Sequence, residues 1–247
     1  MKKVVIFTEG QAELLFVREL LIRTIDNNDL SFECFELMAG RQFPFPYEQS
    51  SPTAKIHFLI INVGTDERVL SEINDRGTKY TNQGIEIIGL RDMYSEAYKK
   101  YSNQIDQKVI NMICQYHEKI IRQINHSDMI HFFFAIMELE AWFLAMYRIF
   151  ERIDPSLTTE NIEKKLNYDL ERDDPEKTYF HPAVQVVQIL QLAGRNYKKH
   201  QSDVLSIVSQ INEEDIKNVI SNNFCSCFVQ LHSEIQREYL ESQNLVN

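Results

Sequence analysis

Lys3-Val4-Val5-Ile6-Phe7-Thr8-Glu9-Gly10-Gln11-Ala12-Glu13 is the stretch on which the reading of the fold turns. The β-branched run Val4-Val5-Ile6, closed by Phe7, predicts a short strand over residues 3–8. Apolar residues then recur at Leu14, Leu15, Val17, Leu20, Leu21 and Ile25, which is helical spacing and predicts a helix over residues 12–25. Between them stand Glu9 and Gly10, with Glu13 one helical turn later. Open α/β sheets place their active crevice beyond the carboxyl ends of the strands, so this junction is a candidate site. Gly10 would permit a tight turn or the close approach of a phosphate to the backbone. By itself the triplet also describes a turn glycine followed by a helix-capping glutamate.

Working outward, the same alternation repeats. Residues 32–38 alternate as a strand does, and Pro44, Pro46 and Pro52 predict an irregular connection. Residues 56–63 form a second apolar β-type run, closed by Gly64 and followed by Thr65-Asp66-Glu67, a favourable helix start. Residues 84–90 predict a further strand ending at Arg91-Asp92-Met93-Tyr94, and residues 104–124 a long amphipathic helix. Residues 130–137 predict a further buried strand running into a helix over residues 138–150. Repeated strand-helix units imply an α/β fold with a mostly parallel sheet flanked by helices. Beyond Ile153, Pro155, Pro175 and Pro182 separate helical segments over residues 182–192, 203–211 and 224–239. The expected division is an α/β domain over residues 1–153 and a helical C-terminal region over residues 154–247, packed either separately or as part of the same domain.

With 44% hydrophobic and 25% charged residues, the chain has the composition of a protein with a sizeable core. The longest apolar run, residues 132–137, stops at Glu138, far short of the roughly 20 residues of a spanning helix, so no membrane partner is expected. Val4 to Phe7 is too short an apolar core for a signal peptide. Four cysteines in a chain of this length make no disulfide framework, and Cys225-Ser226-Cys227 lacks the second pair that a zinc site requires. The expected setting is the cytoplasm. The net charge of −10 argues against a stand-alone DNA reader, but not against an enzyme whose carboxylates hold a divalent cation.

Carboxylates recur at three predicted strand ends. Asp92 follows the strand over residues 84–90 and falls on the same sheet edge as Glu9. Two acidic groups brought together there would repel, and Mg2+ is the usual remedy because it accepts a few carboxylates and leaves room for water and phosphate. The third segment is Met137-Glu138-Leu139-Glu140-Ala141-Trp142-Phe143. If Glu138 and Glu140 share a helix they stand about 200° apart, so at most one of them is expected to face the site. Arg195, Lys198 and Lys199, beside His200, form the one compact basic cluster, a candidate grip on phosphate or else a solvated loop.

Together these segments resemble a family of TOPRIM-like proteins distantly similar to the nuclease domains of OLD proteins. The resemblance rests on strand-Glu9-Gly10 with Glu13, on Asp92-x-Tyr94, and on Glu140-Ala141-Trp142-Phe143. It extends to His181-Pro182, Tyr197-Lys198-Lys199 and Cys225-Ser226-Cys227-Phe228, nearly the whole chain. It implies a TOPRIM fold with a Mg2+ (or Mn2+) site that cleaves nucleic-acid phosphodiesters, and a place in anti-phage defence. Carried over, Glu9 matches the family's general acid or base or ligand, and Asp92 the first aspartate of an Asp-x-Asp ligand pair. Glu140 completes the expected catalytic set, with Glu13 and Glu138 as further candidate metal ligands and Gly10, Arg195, Lys198 and Lys199 toward the nucleic acid. The chain departs from the pattern at Tyr94, where the family has its second aspartate, which opens a second reading as a regulatory subunit. Related proteins work beside ATPases, so an ATPase partner is implied. The chain has no Gly-x-x-x-x-Gly-Lys-Ser/Thr loop, and ATP hydrolysis would fall to that partner.

Overall fold

The computed structural model describes residues 1–245. In chain order the elements are β1 (Lys2–Thr8), α1 (Gln11–Thr24), β2 (Leu30–Met38), β3 (Arg41–Gln49), β4 (Ile56–Asn62), α2 (Asp66–Thr81), β5 (Glu86–Asp92), α3 (Glu96–Lys99) and α4 (Gln107–Ile121). There follow β6 (Ile130–Ala135), α5 (Glu140–Ala145), α6 (Arg148–Ile153), α7 (Thr159–Leu166), α8 (Pro175–Thr178), α9 (Pro182–Gln191), α10 (Gln201–Val208), α11 (Glu213–Asn222) and α12 (Ser226–Asn244). The fold is α/β, and its six strands lie in the order β3-β2-β4-β1-β5-β6.

The chain divides into two compact units that interleave along the sequence instead of meeting at one boundary near Ile153. The first comprises Met1–Arg91, Gln107–Phe134 and the chain from Leu231 onward; the second comprises Asp92–Asp106 and Ala135–Gln230. In the first unit β1 pairs in parallel with β4 on one side and β5 on the other, with Thr8 opposite Asn62 and Leu90. A strand so enclosed is buried on both faces, which explains why Val4, Val5, Ile6 and Phe7 are continuously apolar and all at most 2% exposed. Val5 and Phe7 pack with Val69, Leu70 and Ile73 of α2 and with Ile121 and Ile124 at the end of α4. Gly89 is required on β5, because a Cβ there would stand 2.6 Å from the Phe132 ring.

One expectation fails in this unit. The segment containing Pro44 and Pro46 is not an irregular loop but lies in strand β3, antiparallel to β2 with Pro44 opposite Phe35. β3 is the edge of the sheet, where a residue without an N–H leaves no partner unsatisfied, and proline there discourages a second chain from adding to the edge.

The second unit is helical, with α5 packed on α8 and α9, α6 on α10, and α7 on α9. Its centre is Trp142, fully buried and edge-on to Phe228 at 5.6 Å. The predicted helix over residues 138–150 is broken into α5 and α6 at Met146. Carboxylates from elsewhere in the chain bind the entry to α12: Cys225 N, just before the helix, donates to Asp174 at 3.1 Å, and Cys227 N in its first turn donates to Glu176 at 3.2 Å. The four cysteines are free thiols. No helix among the described residues is long and apolar enough to cross a membrane.

Candidate functional site

The site in the second unit begins where β6 ends. Met137 adopts a left-handed backbone (φ 63°), and Glu138 N donates to Ile136 O at 3.1 Å, which makes residues 136–138 a tight turn. Such a conformation is costly for a residue with a side chain and has to be held by its surroundings. The surroundings are on the other segment: Tyr94 N donates to Met137 O at 2.8 Å, and Leu139 N donates to Asp92 Oδ1 at 2.8 Å. Asp92 therefore fixes the turn from which Glu138 projects, and α5 starts only at Glu140.

This geometry corrects the expectation that only one of Glu138 and Glu140 faces the site. The 200° separation applies within a helix, and Glu138 precedes the helix. Both carboxylates reach the Lys199 ammonium, whose Nζ is 3.3 Å from Glu138 Oε1 and 3.0 Å from Glu140 Oε2. The remaining oxygens are also engaged. Glu138 Oε2 accepts from Ala183 N at 3.1 Å, and Glu140 Oε1 accepts from the Tyr197 hydroxyl at 2.8 Å. Burial by itself would lower the Lys199 pKa, but the charges of Glu140, Asp92 and Glu138 outweigh it, so the ammonium is held charged well above the ordinary lysine range. Glu140 is 1% exposed, whereas the Lys199 side chain is 41% exposed, so the pair has one buried and one solvated member.

Lys199 is also held by its backbone. It too is left-handed (φ 57°), and the Asp203 carboxylate brackets it by accepting from Lys198 N at 2.8 Å and His200 N at 3.3 Å. Asp203→Ala is expected to lose about 1–2 kcal/mol by releasing this turn. Urea unfolding of the variant checks it, and an unchanged midpoint would show that the turn holds without the carboxylate. Of the predicted basic cluster, Lys199 alone joins these carboxylates; Arg195 and Lys198 stay exposed.

Glu9, Gly10 and Glu13 belong to the first unit. Glu9 N donates to Leu90 O at 3.1 Å, which continues the strand pairing past β1. Gly10 is the N-cap of α1 with an extended backbone, so no left-handed turn demands glycine there. A Cβ at Gly10 would instead meet Glu13 Oε2 at 3.0 Å, and the missing side chain lets the buried Glu13 carboxylate fold back over the helix start.

A second acidic group lies in the first unit, where ligand oxygens of Glu86, Glu238 and Glu241 come within 4.8 Å of one another. Protein cations already fill it. Lys2 Nζ is 2.8 Å from Glu238 Oε2 and also pairs with Glu241, while Arg237 pairs with both glutamates. This network ties α12 to β1.

Two groups that hold the site were not singled out as site residues in the sequence: Tyr197, which orients Glu140, and the Ala183 N–H at the start of α9. The signal for both was present, since Tyr197 directly precedes Lys198-Lys199 and Ala183 follows His181-Pro182. No protein-family model matches the chain, nor does any curated protein or solved structure.

Proposed function

We propose that the second unit carries a divalent-cation-dependent site that cleaves nucleic-acid phosphodiesters, as in a nuclease-like subunit of the TOPRIM type. The observation that carries this reading is that Glu138 and Glu140 both reach the Lys199 ammonium, whose charge Asp92, from a separate segment, also favours. Lys199 occupies this place as Lys2 occupies the Glu238 and Glu241 carboxylates, but at 41% side-chain exposure against 10% it can turn into water and admit a divalent cation. Hard oxygen donors of this kind suit Mg2+ or Mn2+.

In this reading Asp92, Glu138 and Glu140 would hold the cation, which would supply Lewis acidity toward a phosphate oxygen. Tyr197 keeps Glu140 oriented, and Lys199 offsets negative charge on the phosphate as it develops. Glu9, the glutamate to which the TOPRIM resemblance gives an acid-base or ligand role, is tested in parallel as Glu9→Gln. The partners proposed are a nucleic acid and an ATPase, in the cytoplasm.

The test is incubation of the purified protein with single- and double-stranded DNA and RNA in Mg2+, Mn2+ or EDTA, alone and with an ATPase partner. Cleavage that EDTA abolishes is expected; no cleavage under any condition removes the reading. One observation favours a second reading, a binding or regulatory subunit: with Tyr94 in place of a second aspartate, the Lys199 ammonium itself balances Glu138 and Glu140. Calorimetric titration with Mn2+ separates the two. Heat of binding that Asp92→Ala abolishes supports the enzyme, and no binding supports the regulatory subunit.

A further inference from the structure

Next to the carboxylates, three partly exposed rings meet in the second unit. Tyr94 stands edge-on to Phe180 at 5.4 Å and to His181 at 4.8 Å, and Phe180 and His181 are 4.4 Å apart. Lys99 Nζ lies 4.8 Å from the Tyr94 ring centre. Backbone bonds tie the rings to the acidic turn on both sides: Tyr94 N donates to Met137 O, and Ala183 N, two residues after His181, donates to Glu138 Oε2.

These aromatics differ from the tyrosines that serve the fold. The hydroxyl of buried Tyr98 donates to Gln104 O, and that of Tyr197 donates to Glu140. The Tyr94 hydroxyl and the His181 ring nitrogens make no hydrogen bond among the described residues. A cluster of partly exposed rings with unused polar edges suits a planar ligand that stacks and hydrogen-bonds, as a nucleobase does.

Charge narrows the ligand further. In a chain of net charge −10, Lys99 is paired with Glu96 and Lys199 is shared between Glu138 and Glu140, which leaves Arg195 and Lys198 exposed in the basic cluster, too few for a run of phosphates. Stacking needs no such charge. Bases within a duplex already stack on one another, so only an unpaired base is available to the rings.

We propose that Tyr94, Phe180 and His181 form a stacking platform for an unpaired nucleobase, which makes single-stranded nucleic acid the substrate class of the adjoining carboxylate site. The inference rests on the phosphodiester-cleaving reading and names its substrate.

The test is fluorescence anisotropy in EDTA, with labelled strands of about 12 nucleotides. The strands are oligothymidine DNA, oligouridine RNA, an abasic strand of equal length, and a duplex. Base-bearing single strands are expected to bind roughly ten-fold more tightly than the abasic strand or the duplex, with a log–log salt slope shallower than about 2. Tyr94→Leu and His181→Leu, each shown folded by circular dichroism, are expected to erase that difference; the second keeps the test decisive should the first fail to fold. A preference for either sugar upholds the platform and identifies the nucleic acid. Equal binding of base-bearing and abasic strands, or a difference that both variants preserve, overturns it. Cation-dependent cleavage without base-dependent binding removes the platform and leaves the cleavage reading standing. Base-dependent binding without cleavage does the reverse.

Discussion

Glu140→Gln is expected to lower cation-dependent phosphodiester cleavage by at least about 100-fold while the protein stays folded. The substitution keeps the shape of the side chain, and its carbonyl oxygen still accepts from Tyr197. What it removes is the charge that faces the Lys199 ammonium at 3.0 Å, the first of the three carboxylates that hold that lysine protonated. A divalent cation sharing the site would lose one anionic ligand, and the new amide N–H would confront a second donor. The stability cost is expected near the low end of about 1–3 kcal/mol, because the half-exposed Lys199 can turn into water. Tyr197→Phe, which removes only the group that orients Glu140, is expected to fall between variant and wild type, by about 10- to 100-fold. Initial rates at saturating Mn2+, with folding followed by circular dichroism, check both. A Glu140→Gln protein that cleaves at the wild-type rate would place the chemistry elsewhere.

What the sequence revealed of this site, and what it concealed, follows from the range of the interactions involved. β1 was legible because a strand enclosed between two neighbours needs apolar residues on both faces, and Val4 to Phe7 supply them without interruption. The strand-end position of Asp92 was legible for the same local reason, whereas Glu140 stands five residues past the end of β6, at the start of α5. β3 was concealed because its prolines are compatible with a strand only at a sheet edge, and edge position depends on the whole topology. Glu138 was misjudged through one dihedral: the left-handed Met137 ends the strand early and keeps Glu138 out of the helix, and nothing in the local pattern marks a methionine for that conformation. The role of Lys199 rests on contacts with Glu138 61 positions away, and the interleaving of the units on contacts such as Lys2 to Glu241, 239 positions apart. Periodicity carries no information over such distances.

The buried pair at the centre of the second unit is where a single substitution should cost most stability. Trp142, the only tryptophan, is fully buried, and its Nε1–H donates to Glu176 Oε1 at 2.9 Å. Trp142→Ala is expected to lose about 3–5 kcal/mol through the cavity alone, with a further penalty for leaving a buried carboxylate short of a donor. Burial pushes the Glu176 carboxyl up to about 7, against the opposing hydrogen bonds from Trp142 and from Cys227 N–H. Because the folded pKa lies above the ordinary glutamate value of 4.5, the folded state binds this proton more tightly than the unfolded chain does. The stability it contributes is present below pH about 4.5 and is lost as the pH rises through about 7. Wild-type stability is therefore expected to fall by up to about 3 kcal/mol between pH 5 and 8, with Trp142 fluorescence reporting the titration. Trp142→Phe separates donor from volume. It removes the hydrogen bond that favours the ionised carboxylate, as alanine also does, but leaves a smaller cavity, so its deficit should be larger at pH 8 than at pH 5 with less of a pH-independent packing loss beneath it. Urea unfolding at the two pH values, followed by circular dichroism, decides it. An equal deficit for phenylalanine at both would mean that Glu176 does not change its proton across that range.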